Sequence, residues 1–260
     1  MDNTRSGSGN LVATTDNTRK RQAVKRKSHK VFVILLMLIA VSLTSLFLPV
    51  FNVKEVEVIG NEKIETQDIV VSSGIMKEIN IFRANITDAK NNISQISYID
   101  TVDIKRSLPN RIVINVTERK PVGYIPFMGS YILIDKRGHV LEVVAELGDN
   151  HIPFIGGLKF DRFKLGKTIQ VDDDKKLEMI VSCLKEILNY ELLHQVSEID
   201  VHDIDNIQLN IQSRIVVSLG DGTDVNYKIC FLKEILKELN EGERGYIDLS
   251  IEKPTFKPIN

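Results

Sequence analysis

The stretch YIDTVDIKRSLPNRIVINVTERKP, residues 98–121, decides the fold of the first half of the chain. Val102 and Ile104 alternate with polar residues, as do Ile112, Ile114 and Val116, and Leu108-Pro109-Asn110 separates the two runs. Alternation with period two marks strands that bury one face, and Pro-Asn marks the turn between them. If the hairpin pairs about Pro109, Ile104 opposes Ile114 and Val102 opposes Val116. One register then sets all four on the same face.

Upstream of the hairpin, Ile86, Ala89, Ile93 and Ile96 recur at helical spacing. A shorter helix is expected from Thr66, which can cap it, with Asp68 in its first turn and Gly74 at its end. Phe51 and Val53, then Val56 and Val58, form two period-two phases with a slip at Lys54-Glu55. That pattern is a strand entered through a bend and ended by Gly60-Asn61. Residues 51–120 therefore read β-α-α-β-β, a three-stranded sheet with two helices on its apolar side.

Before this domain, Val31 to Val50 read VFVILLMLIAVSLTSLFLPV, uncharged, with fourteen of twenty positions Val, Leu, Ile or Phe. About twenty helical residues cross the roughly 30 Å hydrocarbon core of a bilayer. A signal peptide would carry a shorter apolar core and a small-residue cleavage site, and a core helix would keep a polar face. The reading is an uncleaved signal anchor over residues 31–50. Residues 1–30 hold eight Lys and Arg against Asp2 and Asp16, whereas Lys54 is the only basic residue in the ten positions after the span. The positive-inside rule puts this tail in the cytoplasm and the body outside. Rich in Ser, Thr, Asn and Gly, the tail is expected to be disordered.

The formal net charge of −1 conceals this asymmetry, because residues 51–260 carry 26 basic and 33 acidic side chains. A cytosolic enzyme is disfavoured, and so is a nucleic-acid binder, since the body lacks a basic surface overall. Residues 121–252 read as a second α+β domain, largely antiparallel, followed by a tail over 253–260. Its signals are a hairpin at Tyr131–Val143 turning at Asp135 and Gly138, and a helix after Asp172, Asp173 and Asp174 with Leu177, Ile180, Val181, Leu184, Ile187 and Leu188 on its buried stripe. Strand-like runs follow at Ile199–Val201, Ile207–Ile211 and Ile215–Leu219, then a helix near Tyr227–Leu239 and a last strand at Tyr246–Ile251.

No metal, cofactor or nucleophile pattern emerges. The histidines at 29, 139, 151, 194 and 202 lack metal-ligand spacing, the three consecutive acids need only a helix dipole, and no G-x-S-x-G or S-x-x-K is present. Cys183 and Cys230 are expected on helices, with their pairing left open. No catalytic residue, cofactor or small-molecule substrate is assigned. What the body offers is backbone. A last strand at Tyr246, Ile247, Asp248, Leu249, Ser250 and Ile251 would leave a sheet edge for a partner strand, with Pro254 and Pro258 ending the pairing.

The span followed by VKEVEVIGN, then NIFRANI and the quoted hairpin, resembles the bacterial division protein family FtsQ, called DivIB in Gram-positive bacteria. Gly60-Asn61, Arg106-Ser-Leu-Pro109 and Glu118-Arg119-Lys120-Pro121 match its motifs, and the resemblance covers about residues 20–252. It implies that residues 51–120 are a POTRA domain and that the chain is a single-pass divisome protein without catalytic activity. It also implies that Tyr246, Asp248 and Leu249 lie in the segment where a small coiled-coil partner docks. Implied partners are bitopic proteins of the FtsL and FtsB (DivIC) type, with coupling to septal peptidoglycan synthases. A departure is Val225-Asn226-Tyr227-Lys228, where the family often has Gly before the last helix. The competing class is a membrane-anchored extracytoplasmic cell-wall enzyme, which needs a nucleophile, metal or carboxylate pair in a cleft.

Overall fold

The computed structural model describes residues 32–41, 44, 48–148, 151–240, 242–251 and 254–259. The expected tail, residues 1–30, lies outside them, as do positions 31, 42, 43 and 45–47 of the expected span. The chain divides into two compact units. One gathers residues up to Glu55 with Met76–Ala84 and Arg106–Ile112, and the other holds Val56–Ile75, Asn85–Lys105 and everything from Val113.

In the first unit, residues 32–41 are helical and expose Phe32 through Ile39 and Val41. Among the described residues, no helix is long and apolar enough to cross a membrane. Pro49–Phe51 form a 3-10 turn, with Pro at the position where a missing N–H costs nothing. The chain then runs along residues 76–84: Val53 N–H donates to Ile79 O at 2.8 Å and Ile81 N–H to Phe51 O at 2.8 Å. Lys54 N–H instead donates to Asn110 O at 2.8 Å. This change of partner is the physical meaning of the slip at Lys54-Glu55. Arg106 donates to the carbonyls of Ile81 and Ala84 at 2.8 and 2.9 Å, so the Arg of the turn motif ties down backbone that no strand would satisfy.

Three strands, β1 (Glu55–Ile59), β2 (Ile99–Ser107) and β3 (Arg111–Glu118), form a sheet in the order β1-β3-β2. Of the four residues expected on one face, Val102, Ile114 and Val116 are buried and Ile104 is half-buried, and Ile112 is buried as well. Helix α1 (Thr66–Ser73) ends at Gly74, whose φ of 67° gives the left-handed stop expected there, but its N-cap is Glu65 rather than Thr66. Helix α2 (Ile86–Ile93) is capped by Asn85, whose side chain accepts from Asp88 N–H, and buries Ala89 and Ile93.

The second sheet has nine strands: β4 (Gly123–Phe127), β5 (Ser130–Ile134), β6 (Val140–Val144), β7 (Phe154–Gly156), β8 (Val196–Asp200), β9 (Ile207–Ile211), β10 (Ile215–Gly220), β11 (Gly245–Asp248) and β12 (Thr255–Pro258). Their order is β12-β11-β10-β9-β8-β7-β4-β5-β6. Helix α3 (Asp174–Asn189) lies between β7 and β8 in sequence, and α4 (Val225–Glu238) between β10 and β11. Both strand pairs are parallel. Each helix is thus the crossover that a parallel pair needs, while the short connections give antiparallel pairs.

The helices bring Ile180, Cys183, Leu184, Ile187, Ile229 and Leu232 into one buried cluster with Ile199, Leu209, Val217 and Ile247. Full burial of each such Ile or Leu stabilises by about 1.5–3 kcal/mol. Asp173 is the N-cap of α3, its side chain accepting from Lys175 N–H at 3.0 Å, so the run of acids serves the helix start. At the start of α4, Asp224 takes the left-handed conformation at φ 51°. Lys228 meanwhile donates from Nζ to Leu219 O at 2.7 Å. The helix therefore begins at Val225 without the expected glycine.

Candidate docking surfaces

The last strands of the second sheet differ from the expectation for Tyr246–Ile251. The strand is Gly245–Asp248, and it is paired on both sides, parallel to β10 and antiparallel to β12. Ile247 and Leu249 are buried in the core, Tyr246 and Asp248 are half-buried, and Ser250 and Ile251 are exposed. Ser250 donates to Asp248 Oδ1 from its N–H at 3.0 Å and its hydroxyl at 2.6 Å, a turn that ends the strand. The chain then folds back, so Pro254 precedes a further strand instead of ending the pairing. A Cβ at Gly245 would lie 2.4 Å from Phe256 Cε2 and 2.6 Å from Lys257 O, and its absence lets β12 close on β11.

At this end of the sheet the outermost strand is therefore β12. Ile259 N–H donates to Arg244 O at 2.9 Å, and Tyr246 faces Lys257 while Asp248 faces Thr255. Antiparallel pairs alternate between hydrogen-bonded and non-bonded, so Thr255 and Lys257 turn their main-chain groups inward. Pro254, Phe256 and Pro258 turn theirs outward. Phe256 is thus the one residue between two prolines with an outward N–H. No single-sequence signal marks this, because it depends on the register of a four-residue strand.

The residues between the two sheets form a polar cluster that the motif Glu118-Arg119-Lys120-Pro121 supplies. Glu118 accepts from Lys63 N–H at 2.8 Å and Ile64 N–H at 3.0 Å. Arg119 donates from Nη1 to Asp135 Oδ2 at 2.7 Å and to His139 Nδ1 at 3.0 Å, and from Nε to Ile99 O at 3.2 Å. Asp100 lies 3.3 Å from the same Nη1. His139 Nδ1 also lies 3.2 Å from Asp135 Oδ1, so the imidazole sits between the guanidinium and the carboxylate. Burial by itself would raise the Asp135 carboxyl, but Arg119 and the N–H groups of His139 and Arg137 outweigh it and hold the carboxyl below its ordinary range.

A second bridge joins Lys63, Tyr98 and Glu142. Tyr98 donates its hydroxyl to Glu142 Oε1 at 2.6 Å, and Lys63 Nζ pairs with the same carboxylate 4.2 Å from the centre of the Tyr98 ring. Burial, then the Glu142 charge and hydrogen bond, push the phenol upward. A cleft of about 480 Å³ opens beside these groups, lined among others by Lys63, Arg119, Pro121, Ile152, Leu193 and His194. Of the two carboxylates that line it, Glu118 already accepts from two backbone N–H groups and Glu62 pairs with Lys120 at 3.7 Å. Cys183 is buried, Cys230 is exposed, and both thiols are free.

Comparison with known proteins converges on one family. Residues 51–119 match the model of the FtsQ-type POTRA domain, and residues 123–250 match that of the FtsQ/DivIB cell division protein C-terminal domain. A curated relative, cell division protein DivIB of Clostridium tetani, is 31% identical over 84% of this chain and 83% of its own length. DivIB of Clostridium botulinum is 29% identical over 94% of this chain and 97% of its own. A solved structure of the major extracytoplasmic domain of the trans isomer of DivIB from Geobacillus stearothermophilus is similar at 12% identity and a TM-score of 0.30, over 48% of this chain and 99% of that one. With both domain models and full-length relatives in agreement, the chain belongs to the FtsQ/DivIB family of cell division proteins.

Proposed function

We propose that the chain is a non-catalytic scaffold of the division machinery that holds other membrane proteins together outside the cell membrane, at the septum. Residues 31–50 act as the signal anchor, residues 1–30 stay in the cytoplasm, and the POTRA and C-terminal domains occupy the layer next to the membrane. The charge asymmetry around the span and the exposed apolar residues 32–41 support this topology. Confinement to that layer raises the effective concentration of the domains toward similarly anchored partners, so weak contacts suffice.

The partners on this reading are bitopic division proteins of the FtsL and FtsB/DivIC type, through which the chain is coupled to septal peptidoglycan synthesis. The observation that carries the proposal is the open edge of β12, where Phe256 presents its N–H and C=O on the side away from β11. A partner strand adds there by main-chain pairing, centred on Phe256 and limited by Pro254 and Pro258. The test is capture of a tagged partner by the full chain carrying Phe256→Pro, with Phe256→Leu as the control that keeps the N–H. Loss of capture with Pro and retention with Leu is expected. Equal capture by both variants removes the edge from the mechanism.

A further inference from the structure

A second surface stands out at the tip of the β4–β5 hairpin. Residues 158–167, LKFDRFKLGK, hold Lys159, Arg162, Lys164 and Lys167 against Asp161 alone, four cations to one acid within a body of 26 basic and 33 acidic residues. All four cations are exposed, and among the described residues none of them is in an ion pair. Phe127 joins this loop to the hairpin. Its ring stacks on Phe160 and meets Phe163 edge-on, with ring centres 5.4 Å apart in each case. The three rings are half-buried against the core, a fixed base for what projects beyond them.

What projects is apolar. Met128 is 90% exposed. Met128 also has φ 48°, a conformation that Gly or Asn takes at a hairpin tip more readily than an apolar residue. A methionine in the left-handed region, packed on nothing, breaks a local rule without a return in stability, which is the pattern of a residue kept for contact. Its unbranched thioether suits a partner surface of irregular shape.

We propose that this tip docks an acidic segment of a protein partner, which lays an apolar side chain against Met128 while its carboxylates meet Arg162, Lys164 and their neighbours. The proposal concerns a surface separate from the β12 edge and shares with the scaffold reading only the existence of protein partners. Charge complementarity selects the partner, since like charges repel most of this acidic body from itself. A lipid surface is the poorer fit. The three rings engage each other and the core, so Met128 alone is free to insert, whereas a protein contact needs only a small apolar anchor with a charged rim.

The test places p-benzoylphenylalanine at position 128 of the full chain in dividing cells, crosslinks by light, and sequences the captured peptide by mass spectrometry. The expected adduct is a peptide of net negative charge with an apolar residue at the crosslink. Its yield should fall about tenfold in the Arg162→Glu, Lys164→Glu chain, the loss of a few exposed ion pairs together. Changing the captured acids to Lys should restore it. The unfolding midpoint of the charge-reversed chain should match that of the parent, which separates lost docking from lost folding. Capture of lipid, capture of a peptide without acids, a yield indifferent to the charge reversal, or no adduct would each overturn the proposal. The adduct is read with Phe256 intact and the edge test with Met128 intact, so either reading can fail alone.

Discussion

Arg119 shows how a motif residue acts through geometry. Its guanidinium is 11% exposed and the Asp135 carboxylate 5% exposed, so the pair is largely shielded from water. Replacing Asp135 by Asn leaves that cation with Asp100 as its remaining carboxylate and should cost on the order of 2–3 kcal/mol in urea unfolding. The Asp135 pKa is depressed on folding, so its contribution is present above the unfolded value of 3.8 and is lost as pH falls through the folded one. The parent should therefore lose more stability than Asp135→Asn as pH drops below about 4, and the two curves should converge in acid. Gly60 acts by absence. Its φ is 91°, and a Cβ there would lie 2.2 Å from Val116 O. Gly60→Ala should destabilise by about 2–4 kcal/mol, read as a lowered melting temperature, because both backbone strain and a clash must be relieved.

Elements are held at their ends and at their pairings. The Asn85 cap of α2 is a local device, so Asn85→Ala should cost about 1 kcal/mol in thermal unfolding while Asn85→Ser, which keeps an acceptor for Asp88 N–H without a charge beside the Asp88 carboxylate, retains most of it. Helices α3 and α4 are joined by Glu186, whose carboxylate accepts from Asn226 at 2.6 Å and Asn189 at 3.1 Å. Those amides hold its carboxyl below the ordinary range. The two terminal strands are expected to differ in consequence. A chain ending at Pro254 loses only β12 and should stay folded, since Ile247 and Leu249 remain in the core. A chain ending at Glu243 also loses β11 and uncovers β10, and limited proteolysis should find it unfolded or aggregating.

At the level of the entire protein, the C-terminal domain should unfold as a cooperative body, and its two thiols report on it. Burial pushes the Cys183 thiol up to about 12, whereas Cys230 is exposed. Maleimide at neutral pH should add one label to the folded protein and two in urea, counted by intact mass. Two labels under native conditions would mean that the core around α3 opens without denaturant. Alkaline phosphatase fused after Asn260 should be active if the anchor reading of residues 31–50 is correct, and inactive if the C-terminus stays inside the cell.

The hairpin of residues 98–121, both helices of the POTRA domain and the start of α3 were legible in the chain alone, because each depends on neighbours within a few positions: an alternating strand, a helical stripe, a cap, a glycine stop. The short strands β4, β7 and β12 were not, since three to five residues carry too little periodicity to separate from a loop. The paired sides of Tyr246–Asp248 also lay beyond local reading, because Thr255–Pro258 covers that strand only once a turn at Ser250 has formed. The same holds for Arg119, recognisable as part of a motif but meeting Asp100, Asp135 and His139 only in three dimensions. Periodicity encodes which face of an element is buried. Which element lies beside it, and hence where an edge stays open for a partner, is set by long-range pairing.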